Sequence, residues 1–140
     1  MRNTSGFTLI EVMVVVAIIA ILGKIAVPTY MRYIQRGDLV EGTQSLSQYR
    51  VQMEQYYQDN GNYGAGGACG IGAPTLVNFT LTCASANSGQ TYAATATGKS
   101  ASMLNGFVYT IDQGNNQQTT GLPSSWGSLT AAASTSWIIR

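Results

Sequence analysis

One carboxylate stands out for its position. Glu11 lies in a run of 21 residues, Phe7 to Val27, in which only Thr8, Glu11 and Lys24 are strongly polar. As a helix rising about 1.5 Å per residue, the run spans roughly 31 Å, close to the ~30 Å hydrocarbon core of a bilayer. A lone carboxylate in lipid is expensive and marks a function by default. Its chemistry is the capture of a cation at the same depth. Lys24 is 13 residues away, roughly 20 Å along the helix, and cannot reach Glu11 in the same chain. A cut after Gly6 would create an ammonium at Phe7. A neighbouring copy's Phe7 amine could then neutralise Glu11 and set the axial register between two packed helices. The plainer alternative is a Glu near a helix N-terminus that favours the dipole and reaches to the interface.

Little other chemistry can be assembled. There is no histidine, which removes the commonest general base and metal ligand. Asp112 is the only acid after Asp59, so paired-carboxylate catalysis has no material. A serine–lysine dyad through Lys99 is the one remaining route and has only spacing in its favour. No P-loop, metal cluster or triad is present, so neither an enzyme nor a cofactor is expected. Nucleic-acid binding needs several phosphate-neutralising cations. Beyond the helix the chain offers Lys99 and Arg140, with Arg32, Arg36 and Arg50 on the helix. Strong DNA binding is therefore not expected. Charged residues make up 9% of the chain and the net charge is +1, so it has no bias toward anionic partners.

These groups need elements to position them. Length and apolar continuity predict a helix over the run to Val27, because a lone strand in lipid leaves its backbone unpaired. Pro28 removes a helical hydrogen bond, which predicts a kink or local melt around Gly23 to Pro28. Lys24 can snorkel at the outer end, beside a belt of Tyr30, Arg32, Tyr33 and Arg36. Thr29 to Asp59 continues as helix, with Leu39, Gly42, Leu46, Tyr49, Met53 and Tyr56 as one apolar stripe. Arg50 and Glu54 form a weak i,i+4 pair. Asp59 to Asn62 ends the helix. Tyr63 to Asn78 reads as a Gly/Ala-rich loop. Phe79–Cys83, Thr91–Thr97 and Phe107–Asp112 read as strands, with Gln117–Thr120 and Trp137–Ile139 as shorter candidates. The expected fold is α+β: a long N-terminal helix packed on an antiparallel sheet of three to four strands.

Gly6-Phe7-Thr8-Leu9-Ile10-Glu11, a short polar leader, and an apolar helix ending near Pro28 resemble the class III signal of type IV pilins and type II secretion pseudopilins. The likeness is close over the first 35 residues or so; the remaining domain is similar to minor pilins. It implies a leader at 1–6, an assembly helix at 7–28, an amphipathic half at 29–60 and a globular domain at 61–140. It implies cleavage after Gly6 by prepilin peptidase, N-methylation of Phe7, and recruitment of subunits through Glu11. It implies a weak point at Pro28 that lets the helix stretch during assembly.

The implied function is that of a type IV pilus subunit, serving assembly and so twitching motility, adhesion or DNA uptake. Its partners would be other pilins, the peptidase and methyltransferase, the inner-membrane machinery and the membrane itself. A secretion pseudopilin and a DNA-uptake receptor pilin are the alternatives. Arg2 keeps the leader cytoplasmic, so the domain starts in the periplasm and ends outside the cell. If Cys69 and Cys83 face that side, they bond; the alternative is two buried thiols. Closing a loop of about 15 residues would contribute roughly 3 kcal/mol in the chain-entropy picture.

Overall fold

The computed structural model describes residues 6–129 and 135–139. The chain falls into two units, Met1–Ile34 and Gln35–Arg140. Met1 to Ser5 of the expected leader, and Arg140, lie outside the described residues.

Helix α1, Leu9–Asn60, passes through both units. Thr8 starts it: its hydroxyl accepts from the Glu11 backbone N–H at 3.3 Å, satisfying one of the free donors of the first turn. The helix does not break at Pro28, which lies within it. The proline leaves the carbonyl four residues back without its donor. Next to it the Thr29 hydroxyl donates to the Ile25 carbonyl at 2.9 Å, a side-chain bond back along the helix that leaves the Lys24 carbonyl, the one the proline deprives, as it is. The melt expected from Gly23 to Pro28 is absent from this conformation.

In the second unit the predicted stripe is the buried one. Leu39, Gly42, Leu46, Tyr49 and Met53 are buried, joined by Thr43, while Tyr56 is half-buried. They pack on an antiparallel meander of six strands in sequential order. These are β1 (Gly64–Ala65), β2 (Ala68–Cys69), β3 (Phe79–Ala86), β4 (Thr91–Gly98), β5 (Val108–Asp112) and β6 (Gln117–Gly121). The count exceeds the three or four expected because the Gly/Ala-rich loop itself folds into the two-residue hairpin β1–β2. Gly66 and Gly67 hold positive φ in its turn, which glycine adopts at no steric cost. Residues alternate along β3, β4 and β5, so Phe79, Leu81, Tyr92, Ala94, Ala96, Tyr109 and Ile111 face the core.

Trp137 to Ile139 is not a strand. Its polar groups are met mainly by side chains instead of a ladder. The Ile138 N–H donates to Thr119 Oγ1 at 2.9 Å, and Tyr109 OH donates to the Ile138 carbonyl at 2.6 Å. The Trp137 indole donates to the Thr110 carbonyl at 3.0 Å.

Candidate functional site

The first unit presents an unburied apolar helix surface. From Phe7 to Leu22 every residue is exposed, and Ile10, Met13, Ile19 and Leu22 are more than half so. This is the one helix among the described residues long and apolar enough to cross a membrane. Apolar surface on this scale is driven to leave water.

Gly6 and Phe7 precede the helix and are exposed, Phe7 at 82%. Glu11 sits in the first turn, where a negative charge suits the helix dipole. Thr8-Leu9-Ile10-Glu11 also has the spacing of a capping box, of which the Thr8 half is made. Glu11 therefore serves the helix start as well as offering an acceptor. Among the described residues its carboxylate has no partner, and neither has the Lys24 ammonium.

The second unit holds its loops with charged side chains. The Glu41 carboxylate accepts from the backbone N–H of Val77 at 2.6 Å and of Asn78 at 3.0 Å. Lys99 Nζ donates to the Leu76 carbonyl at 2.6 Å. Together they fix the segment entering β3. Pro74, Thr75, Leu76, Thr80 and Lys99 line a shallow groove of about 270 Å³ there. Tyr49 OH donates to the Ile71 carbonyl at 2.6 Å, holding the same long connection to α1 further upstream.

Cys69 and Cys83 are bonded, with Cα atoms 5.8 Å apart. The register that pairs Ala68 with Ala84 sets the two cysteines opposite each other on β2 and β3. The bond fastens the small hairpin to the sheet.

Arg50 and Glu54 do not form the expected ion pair. Both Glu54 oxygens accept from Tyr63 OH, at 3.1 and 3.2 Å. Among the described residues, Arg50 Nε and Tyr92 OH are buried without hydrogen-bond partners. Burial raises the pKa of Tyr63, with the Glu54 hydrogen bond and charge adding to it. Burial also pushes Tyr49, Tyr92 and Tyr109 upward. These shifts follow from core packing and point to no proton-transfer site. Among the described residues no cluster of His, Cys, Asp or Glu could hold a metal ion.

Comparison with known proteins gives consistent matches. Residues 28–106 match the family described as "Type IV minor pilin ComP, DNA uptake sequence receptor". Residues 1–23 match the "Prokaryotic N-terminal methylation motif". Prepilin peptidase-dependent protein D of Escherichia coli is 38% identical over 81 residues, 56% of each chain, so the match spans little more than half of that relative. Fimbrial protein EcpC of Eikenella corrodens is 35% identical over 72% of this chain and 67% of its own length. Type IV major fimbrial protein FimA of Dichelobacter nodosus is 36% identical over 83% of this chain and 70% of its own. A solved type IV pilin from Shewanella oneidensis aligns with TM-score 0.46 and 12% identity, over 65% of this chain and 93% of that one. By its matches to the two family descriptions and to FimA, the chain belongs to the type IV pilin family, within the minor-pilin family that its residues 28–106 match.

Proposed function

We propose that this type IV pilus subunit waits in the bacterial inner membrane as a single-pass precursor, its domain in the periplasm. It enters the pilus after prepilin peptidase cuts between Gly6 and Phe7 and Phe7 is N-methylated. The inner-membrane assembly machinery then adds it to the filament. Within the filament the Glu11 carboxylate accepts from the Phe7 ammonium of a neighbouring subunit. The observation that carries this reading is the exposed apolar helix surface from Phe7 to Leu22 with a single carboxylate in it. Such a surface needs lipid first and other helices afterwards, and a carboxylate inside it needs a cation. Twitching motility, adhesion or DNA uptake would follow from a working pilus.

Mass spectrometry of the chain from sheared pili tests the processing. A first residue of methylated Phe7 is expected, in a minority of the subunits. An intact leader in the filament would contradict it, and a chain making up the bulk of the pilus would be the major subunit. Recovery only with a secretion pseudopilus would favour the pseudopilin alternative.

A second reading, a receptor for incoming DNA, is favoured by the description of the matched family. The charges speak against strong binding. From Gln35 to Ile139 the cations are Arg36, Arg50 and Lys99, against Asp38, Glu41, Glu54, Asp59 and Asp112. Lys99 is already engaged with Leu76. Contact through three cations would give a slope of log K against log salt of about −3. Duplex retention that survives physiological salt would favour the receptor reading; retention lost there would leave the subunit without one.

A further inference from the structure

Two asparagine–glycine pairs occur in the chain, Asn60-Gly61 and Asn105-Gly106. Asparagine before glycine is the least hindered setting for one spontaneous reaction, attack of the glycine nitrogen on the asparagine side-chain carbonyl. Glycine has no Cβ to crowd the approach. The fold treats the two pairs in opposite ways.

Asn60 ends α1. Its Nδ2 donates to the Tyr56 carbonyl at 2.9 Å, and the Gly61 N–H donates to the Tyr57 carbonyl at 2.7 Å. Both reacting groups are tied back to the last turn of the helix. Asn105 and Gly106 are exposed, on the connection between β4 and β5. The Phe107 N–H donates to the Leu104 carbonyl at 3.1 Å, which closes a turn with Asn105 and Gly106 at its centre. Gly106 holds a φ of +96 there, a conformation that costs glycine nothing. Among the described residues, neither the Asn105 side chain nor the Gly106 N–H has a hydrogen-bond partner. Turns of types I and II differ by rotation of the central peptide, so that peptide can turn while the closing bond stays made.

We infer that Asn105 is a site of spontaneous deamidation and that the helix end protects Asn60 from the same reaction. The Gly106 nitrogen loses its proton and bonds to Asn105 Cγ. The side-chain amide nitrogen leaves as ammonia, carrying that proton. Water then opens the cyclic imide at one of its two carbonyls, giving aspartate or isoaspartate. No enzyme, oxidant or neighbouring subunit takes part. Either product adds one negative charge outside the core and lowers the formal net charge of +1 by one. Isoaspartate also adds a carbon to the backbone of the turn.

Peptide mass analysis of the folded full-length chain, incubated in detergent in warm neutral buffer, tests this. A zero-time sample corrects for conversion during digestion, and the same chain in denaturant reports each pair without its fold. In denaturant both peptides should gain about 1 Da at similar rates. In the folded chain Asn60 should convert about tenfold or more slowly than Asn105, because two hydrogen bonds must be given up first. Asn105→Gln, whose longer side chain closes a larger ring reluctantly, should remove the gain from its peptide. Equal rates at the two pairs in the folded chain, or faster conversion at Asn60, overturns the assignment. So does an Asn105 that stays intact while the denatured chain converts, or a gain that survives Asn105→Gln. Each of these results leaves the pilin reading untouched.

Discussion

Gly42→Ala sets two opposed effects against each other. Inside a helix, alanine is favoured over glycine by about 0.8–1 kcal/mol. At Gly42 a Cβ would lie 2.9 Å from Phe79 Cε2 and 3.0 Å from Cδ2 and Cζ. The Phe79 ring is fully buried, and Tyr109, also fully buried, has its ring centroid 6.0 Å away. The ring cannot retreat without displacing a second aromatic. Overpacking of this kind typically costs about 1–3 kcal/mol. The steric cost should win, leaving Gly42→Ala destabilised by about 1 kcal/mol, and Gly42→Val, bulkier and β-branched, by about 3 kcal/mol. For a unit of this size each kcal/mol lowers the Tm by about 4–8 °C. Thermal melts of the full-length chain in detergent, followed by near-UV circular dichroism, read the shift. In a Phe79→Leu background, which removes the ring edge, Gly42→Ala should be milder by at least about 0.5 kcal/mol. If Gly42→Ala instead raised the Tm, as at an unpacked helical glycine, the close approach of α1 to β3 would be refuted.

Other outcomes are expected from the same contacts. Replacing Cys69 and Cys83 together by serine should cost about 3 kcal/mol, checked by denaturant melts of both forms. An unchanged midpoint would show that the bond adds nothing to the sheet. Glu41→Ala should cost about 1–2 kcal/mol and speed hydrogen exchange at the Val77 and Asn78 amides it now accepts from. Unchanged exchange would refute the clamp. Four of the eight tyrosines, Tyr49, Tyr63, Tyr92 and Tyr109, have raised folded-state pKa values, chiefly through burial. Their contribution to stability is full below the ordinary tyrosine pKa of about 10 and is lost as pH rises through the folded values. Ultraviolet titration should show these four ionising late and together with unfolding; all eight tyrosines ionising early and reversibly would contradict the burial.

The parts of the fold visible in the sequence are those set by local periodicity. The stripe from Leu39 to Met53 is buried as its 3-4 spacing implies, and β3, β4 and β5 follow alternating residues. What stayed hidden depends on partners distant in sequence. The β1–β2 hairpin has no alternating pattern of its own; it is held by the Cys69–Cys83 bond and by pairing to β3. Glu54 was available to Arg50 one turn away, yet its oxygens are taken by Tyr63, nine residues on. Pro28 removes one hydrogen bond of a 52-residue helix, and the turns on either side carry the helix through it. Glu11 was legible because a carboxylate in an apolar run is conspicuous.

The central claim is that Glu11 acts between subunits, and Glu11→Leu tests it most directly. The substitution removes a costly charge from the membrane span, so insertion should be at least as good. Gly6 and Phe7 are untouched, so the leader should still be removed. Incorporation into pili should fall sharply, because the neighbouring Phe7 ammonium loses its acceptor among packed apolar helices. Membrane level, leader removal and pilus incorporation are to be measured side by side on the same cells. Normal insertion and cleavage with poor incorporation is the predicted result. Normal incorporation would contradict the account and leave Glu11 as a residue of the helix start alone.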